Sequence, residues 1–256
     1  MFIDTHCHLH DAKLPDTDAV VNAYLCDGVD MVINIGCCAQ TSEKGAELSE
    51  KYESVYFATV CHPSDSNGFD QKEFDRIFAL TKHEKCVAVG EIGLDYYWQP
   101  FDKEVQTKCF LEQIELAKQE KLPICIHSRD ATADMLKILK DNKDKLVYGG
   151  VMHCFSGSVE TAAELLKLGL YISFAGPLTF KNARQLLDVA KFVPEEFCLT
   201  ETDCPYLAPH PLRGTINEPK NVAIVTAFLA SLKERELTEF ASVIKANAKR
   251  LFYKLK

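Results

Sequence analysis

The stretch FIDTHCHLH, residues 2–10, passes from an apolar pair, Phe2 and Ile3, into imidazoles at every second position. In an extended strand alternate side chains share a face, so His6, His8 and His10 would point the same way. Neutral imidazole is the commonest metal ligand. A lone His-x-His also arises by chance, so a metal reading needs partners that other strand ends bring to the same place.

Outward from this stretch the chain alternates. Short apolar runs rich in β-branched residues fall at 2–6, 31–35, 56–60, 87–91, 124–127, 151–153, 171–174 and 197–200, eight in all. Segments with helical periodicity lie between them. Phe110, Leu111, Ile114 and Ala117 make an apolar face in one such segment, with Asp102 placed to cap it. Val159, Ala162, Ala163 and Leu166 do the same in another, which Gly169 can end in a left-handed conformation. Helical stretches at 221–232 and 238–255 close the chain. Eight evenly spaced strand–helix units in 256 residues match a closed α/β barrel, the (β/α)8 TIM barrel, better than a doubly wound open sheet. No linker, low-complexity tract or repeat divides the sequence, so a single domain over 1–256 is expected.

Composition narrows the function classes. No apolar run is long enough to span a bilayer, and no basic segment followed by an apolar one marks a secretory leader. The eleven cysteines include no Cys-x-x-Cys pair, and several, among them Cys61, Cys86, Cys125, Cys154 and Cys198, sit in apolar runs. They read as reduced, small hydrophobes of a cytoplasmic protein, or of a nuclear one in a eukaryote. The formal net charge of −8 argues against broad, tight binding to duplex nucleic acid, which needs many Lys and Arg contacts to phosphates.

The strand ends carry the chemistry. The first ends at His6 and His8, the third runs into His62, the fourth ends at Glu91, the fifth at His127, the sixth at His153, and the eighth runs into Asp203. In a (β/α)8 barrel these ends open onto one face. Four of these imidazoles, His62 left aside, and two carboxylates converging there are hard to explain as packing, because buried carboxylates are costly unless paired or bound to metal. Nitrogen and oxygen donors suit zinc, manganese or iron and, with more carboxylate and water, magnesium. Five or six ligands exceed one tetrahedral site, and Glu91 at the centre of the ligand order is the natural bridge between two divalent ions. Such a pair would clamp a phosphate or carbonyl and activate water, with Asp203 as a proton acceptor.

The motifs DTHCHL (4–9), GEIGLDYYW (90–98), IHSRDA (126–131), HCFSGS (153–158), YISFAGPLTFKNA (171–183) and ETDCPYLAP (201–209) make the chain resemble the TatD family of metal-dependent deoxyribonucleases, within the amidohydrolase-like superfamily, over essentially its whole length. The resemblance implies that His6, His8, Glu91 and Asp203 hold one ion and that Glu91, His127 and His153 hold the other. It also implies hydrolysis of DNA phosphodiesters, often from the 3′ end, and Glu91 where better-known superfamily members carry a carboxylated lysine. The stretch APHPLRGTINEP (208–219) departs from the family pattern, with Leu212 in the usual place of a histidine, while Arg213, Asn217 and Pro219 remain.

Other residues have two readings each. His62 is expected to support the rim or line the cleft rather than bind an ion. Glu201, two residues before Asp203, either orients a metal-binding imidazole or sits in a buried salt bridge. Arg129 either holds a phosphate or pairs with a neighbour such as Asp130. Trp98, after Tyr96 and Tyr97, either stacks on a base or packs on the rim. Lys181, Arg184 and Arg213 are phosphate contacts or ordinary solvated cations, His10 turns to solvent or a hydrogen bond, and His83 is solvated. Three functions remain: a two-metal nuclease on DNA, expected to be a monomer preferring single-stranded or frayed 3′ ends; a metal-dependent amidohydrolase or esterase on a small molecule; and a non-catalytic binder, whose signature would be a lost ligand. No ligand is lost.

Overall fold

The computed structural model describes residues 1–14 and 16–256. Eight parallel strands follow one another in sequence order around a single sheet: β1 Phe2–Cys7, β2 Val29–Ile35, β3 Val55–Thr59, β4 Cys86–Asp95, β5 Ile124–Arg129, β6 Gly150–Met152, β7 Tyr171–Phe174 and β8 Cys198–Thr200. Each adjacent pair from β1 to β8 is parallel. The chain is a (β/α)8 TIM barrel. Both faces of these strands are covered, which is why β3, β4 and β7 are buried at every position.

The seam between β8 and β1 is closed by the residues just past β8. Asp203 N–H donates to His6 O at 2.9 Å, and His8 N–H donates to Cys204 O at 2.8 Å. Asp4 reinforces the seam, its carboxylate accepting from Thr202 N–H at 2.9 Å and from the Thr202 hydroxyl at 2.5 Å. Asp4 is fully buried, and that burial, against the pull of these hydrogen bonds, pushes its carboxyl up to about 8.

The helices are α1 Thr17–Cys26, α2 Ala39–Lys51, α3 Gln71–Thr81, α4 Lys103–Glu120, α5 Thr132–Asp141, α6 Val159–Lys167, α7 Arg184–Phe192, α8 Val222–Leu232 and α9 Leu237–Leu251. Asp102 caps α4 by accepting from Glu104 and Val105 N–H, and Gly169 follows α6 at φ +76°. The apolar faces sit slightly off their expected centres. α4 buries Leu116 rather than Leu111, and α6 buries Ala162 and Leu165 while Val159, Ala163 and Leu166 are only half-buried. Packing across a curved barrel, not the apolar pattern alone, sets each helix's rotation. His83 is a further correction: it is half-buried, its ring 5.3 Å from that of Phe57. Among the described residues no helix is long and apolar enough to cross a membrane.

β4 differs most from the sequence expectation. It continues four residues past Glu91 to Asp95. Gly90 and Gly93 allow this path: a Cβ on Gly90 would lie 2.5 Å from the Cys125 carbonyl oxygen, and one on Gly93 would lie 2.0 Å from the His127 oxygen. Their φ values of +153° and +145° also disfavour any side chain. The two glycines let β4 lie tightly on β5 on either side of Glu91.

Candidate metal centre

β1 delivers His6 and His8 side by side, 1% and 6% exposed, with ring centroids 5.1 Å apart. Their Nε2 atoms lie 3.7 and 3.2 Å from Asp203 Oδ1. His8 is fixed from behind, its Nδ1 2.8 Å from Ile35 O at the end of β2. Asp203 itself has φ +57°, a conformation rare for a non-glycine residue. Its N–H is tied to β1, so that backbone turn carries the carboxylate back over the two imidazoles. His10 is not grouped with Asp203; its ring faces Asn34 Oδ1 at 3.4 Å, and with His8 and Cys37 it makes a separate group of possible donors.

Glu91 stands at the centre and uses its two oxygens differently. Oε2 lies 3.3 Å from His6 Nε2. Oε1 lies 2.5 Å from His127 Nδ1 and 3.2 Å from His153 Nε2, with His62 Nε2 at 3.8 Å. His62 is therefore nearer the carboxylate than the sequence suggested, its ring edge-on to His127 at 4.7 Å. The His6 and His153 rings stack at 3.7 Å.

Outer carboxylates hold two of these rings. Glu201 Oε1 lies 2.8 Å from His153 Nδ1, off the line of an aligned hydrogen bond. The same carboxylate accepts from Cys154 N–H at 2.7 Å and from the Ser173 hydroxyl at 2.6 Å. Asp95 Oδ2 lies 2.9 Å from His127 Nε2, while Oδ1 accepts from Tyr97 and Trp98 N–H. Asp95 escaped the sequence reading, although its position four residues after Glu91 places both on one strand face.

Buried carboxylates and imidazoles stabilise one another's charged forms here. Burial opposes ionisation of Glu91, yet the cationic His153 and His127 beside it hold its carboxyl well below the usual range. Burial also disfavours a charged His127, but Glu91 and Asp95 outweigh it and raise the imidazole to about 9. His6 is pulled down by burial and by the His153 charge, and neither of its ring nitrogens has an aligned hydrogen bond. A buried imidazole with both nitrogens unpartnered is costly as a packing residue. The same ring, grouped with His8 and Asp203, can offer a lone pair to a cation. His62, Glu91 and His127 form a second such group. The donor set of imidazoles and carboxylates fits divalent zinc, manganese or magnesium.

The other expected residues lie apart from this cluster. The Arg129 guanidinium packs on the Tyr97 ring, 3.6 Å from its centroid, with the Trp98 ring at 5.5 Å, and forms no ion pair with Asp130 among the described residues. Trp98 is 60% exposed beside it, whereas Tyr96 stacks on Phe101 and donates to Asp134. Arg213 packs on Phe180, 4.3 Å from its ring centroid. Lys181 and Arg184 are exposed.

The chain is similar to known proteins over almost its whole length. A family model described as TatD related DNase matches residues 3–253. An uncharacterized metal-dependent hydrolase of Bacillus subtilis, YabD, is 44% identical over 98% of this chain and 99% of its own. Escherichia coli YcfH, described in the same words, is 38% identical over 98% of this chain and 95% of its own. The crystal structure of YJJV, a TatD homolog from Escherichia coli, superposes with a TM-score of 0.93 at 31% identity, covering 98% of each chain. A matched family model over almost the whole chain, on a barrel whose strand ends gather imidazoles around one carboxylate, leaves one conclusion: the chain belongs to the TatD family of metal-dependent hydrolases.

Proposed function

We propose that this protein hydrolyses DNA phosphodiester bonds with two divalent ions, working from single-stranded or frayed 3′ ends as a monomer in the cytoplasm. The observation that carries the reading is the division of Glu91. One oxygen faces His6 and the other faces His127 and His153, as a carboxylate shared between two ions would require. His6, His8, Asp203 and Glu91 would hold one ion, and Glu91, His127 and His153 the other. Bound there, the ions supply charge to the phosphate and lower the pKa of water.

The protein's own groups do the rest. Asp203, 14% exposed in its side chain, is open to the site and takes up the proton that water gives up on attack. Asp95 and Glu201 keep the His127 and His153 rings facing Glu91. With a net charge of −8 the surface offers no broad attraction for a polyanion, so contact is short and depends weakly on salt. A concave barrel mouth admits a strand end more readily than the middle of a duplex. Exposed Tyr97 and Trp98 can receive an unpaired base without the unstacking cost of a few kcal/mol.

The test uses protein stripped with chelator and reloaded in turn with magnesium, manganese or zinc. Linear single-stranded DNA should give mononucleotides, and a sealed circular duplex of equal nucleotide content should stay intact. A ladder of internal cuts from the circle would show an endonuclease. Inactivity on DNA with turnover of amides or small esters would move the enzyme to another substrate class.

A further inference from the structure

Beside the metal cluster, between the N-terminal ends of α5 and α6, lies a cavity of about 340 Å³. Two sharp turns open it. After β5 the chain turns at Asp130 (φ +55°), and after β6 it turns at Cys154 (φ +41°). Each turn throws the following loop outward before its helix begins. His153 belongs to both places: it lines the cavity, and its ring lies 3.2 Å from Glu91.

The lining combines a buried apolar floor with an open polar wall. Met135, Met152, Phe155 and Leu165 make up its buried side, none more than 6% exposed. Little of this apolar floor is open to the cavity, whose open lining is mostly polar; the thioethers and the Phe155 ring back one side of a planar ring. Ser156 and Thr161 add hydroxyls that can donate or accept at the ring's edge. At the exposed side stand Asp130 and Arg129, the latter on Tyr97. The volume lies at the lower end of the range for small-molecule pockets, roughly 300–1,000 Å³. It suits one nucleoside rather than a run of them, and the buried side gives a strand no way onward.

We propose that this cavity is the subsite for the single terminal nucleoside of the strand, seated beside His153 with its 5′ phosphate over the carboxylate–imidazole cluster. The proposal rests on the phosphodiesterase reading and deepens it: a blind cavity for one nucleoside is what would make the enzyme cut from an end. Water adds to phosphorus, the bond to the preceding residue's 3′ oxygen breaks, that oxygen leaves with a proton, and the nucleoside monophosphate departs from the cavity.

Thr161→Phe, half-buried on α6, and Ser156→Phe, on the exposed loop before it, each fill the cavity from a residue that is not itself part of the cluster. The reloaded enzyme is assayed on thymidine 5′-(p-nitrophenyl phosphate), which carries a nucleoside, and on bis(p-nitrophenyl) phosphate, which carries none. Binding of thymidine 5′-monophosphate is measured by calorimetry. In either folded variant the ratio of kcat/KM for the thymidine ester to that for the plain diester should fall at least tenfold, through KM, and monophosphate binding should weaken as much. A ratio within twofold of the parent in Ser156→Phe would overturn the subsite, as would equal losses on both substrates. If the parent cleaves neither ester, the phosphodiesterase reading fails by itself. The binding arm still decides the cavity: weaker binding in the variants supports it, and unchanged or absent binding in the parent overturns it.

Discussion

Glu91 and Asp203 differ in what their removal should do. Because the two oxygens of Glu91 face different imidazoles, Glu91→Ala should empty or scramble both ion sites, whereas His127→Ala should disturb mainly one. Elemental analysis of purified, reloaded protein checks this, and two ions held as tightly as in the parent would remove Glu91 from the bridge. Asp203→Asn keeps the shape and loses the basicity. Its turnover should fall by about a hundredfold or more, as for loss of a general base, with circular dichroism unchanged. Normal turnover would exclude Asp203 from proton transfer. The two outer carboxylates act at this scale too. Glu201 is buried with an oxygen 2.8 Å from His153 Nδ1, a position compatible with both of its sequence readings.

Among the elements, β4 sets the site. Its glycines allow backbone to lie on backbone where a Cβ would not fit, and Glu91 is carried between them. Gly90→Ala would press a methyl against Cys125 in a conformation no L side chain favours. We expect a loss of about 2–3 kcal/mol in urea unfolding, by analogy with overpacked cores, together with weaker metal binding. A variant as stable as the parent would show that β4 can shift off β5 without cost. The strand also continues to Asp95, so the exposed Tyr97–Trp98 turn hangs from the same carboxylate that holds His127.

For the whole molecule the candidate metal centre is a place where the fold holds buried carboxylates and imidazoles against one another. Ions that bind only the folded chain should stabilise it by about 2.7 kcal/mol per site at a free concentration one hundred times the Kd. Chelation should therefore lower the melting temperature of the parent and leave that of Glu91→Ala almost unmoved. An equal shift in both would place the stabilising ion elsewhere. The weak dependence of cleavage on salt belongs to this scale as well. It follows from a net charge of −8, and a steep decline between low and moderate salt would reveal more phosphate contacts than the rim residues provide.

Strand positions were legible because alternation and β-branching act over a few neighbouring residues, and each expected strand overlaps an observed one. The gathering of the candidate ligands was legible too, since the ends of parallel barrel strands open on one face whatever their separation in sequence. His6, His8, Glu91, His127, His153 and Asp203 are gathered there. What no local pattern encodes is which groups meet once the ring closes. His8 and Asp203 are 195 positions apart and touch because the segment after β8 pairs with β1. Asp95 reaches His127 only because two glycines let β4 run on, and Arg129 turns to Tyr97 rather than to Asp130. The sequence by itself determined the barrel and the residues at its mouth. The division of Glu91, the support of the imidazoles and the cavity beside His153 were decided by tertiary structure, because each depends on distances between strands and helices that only the closed barrel sets.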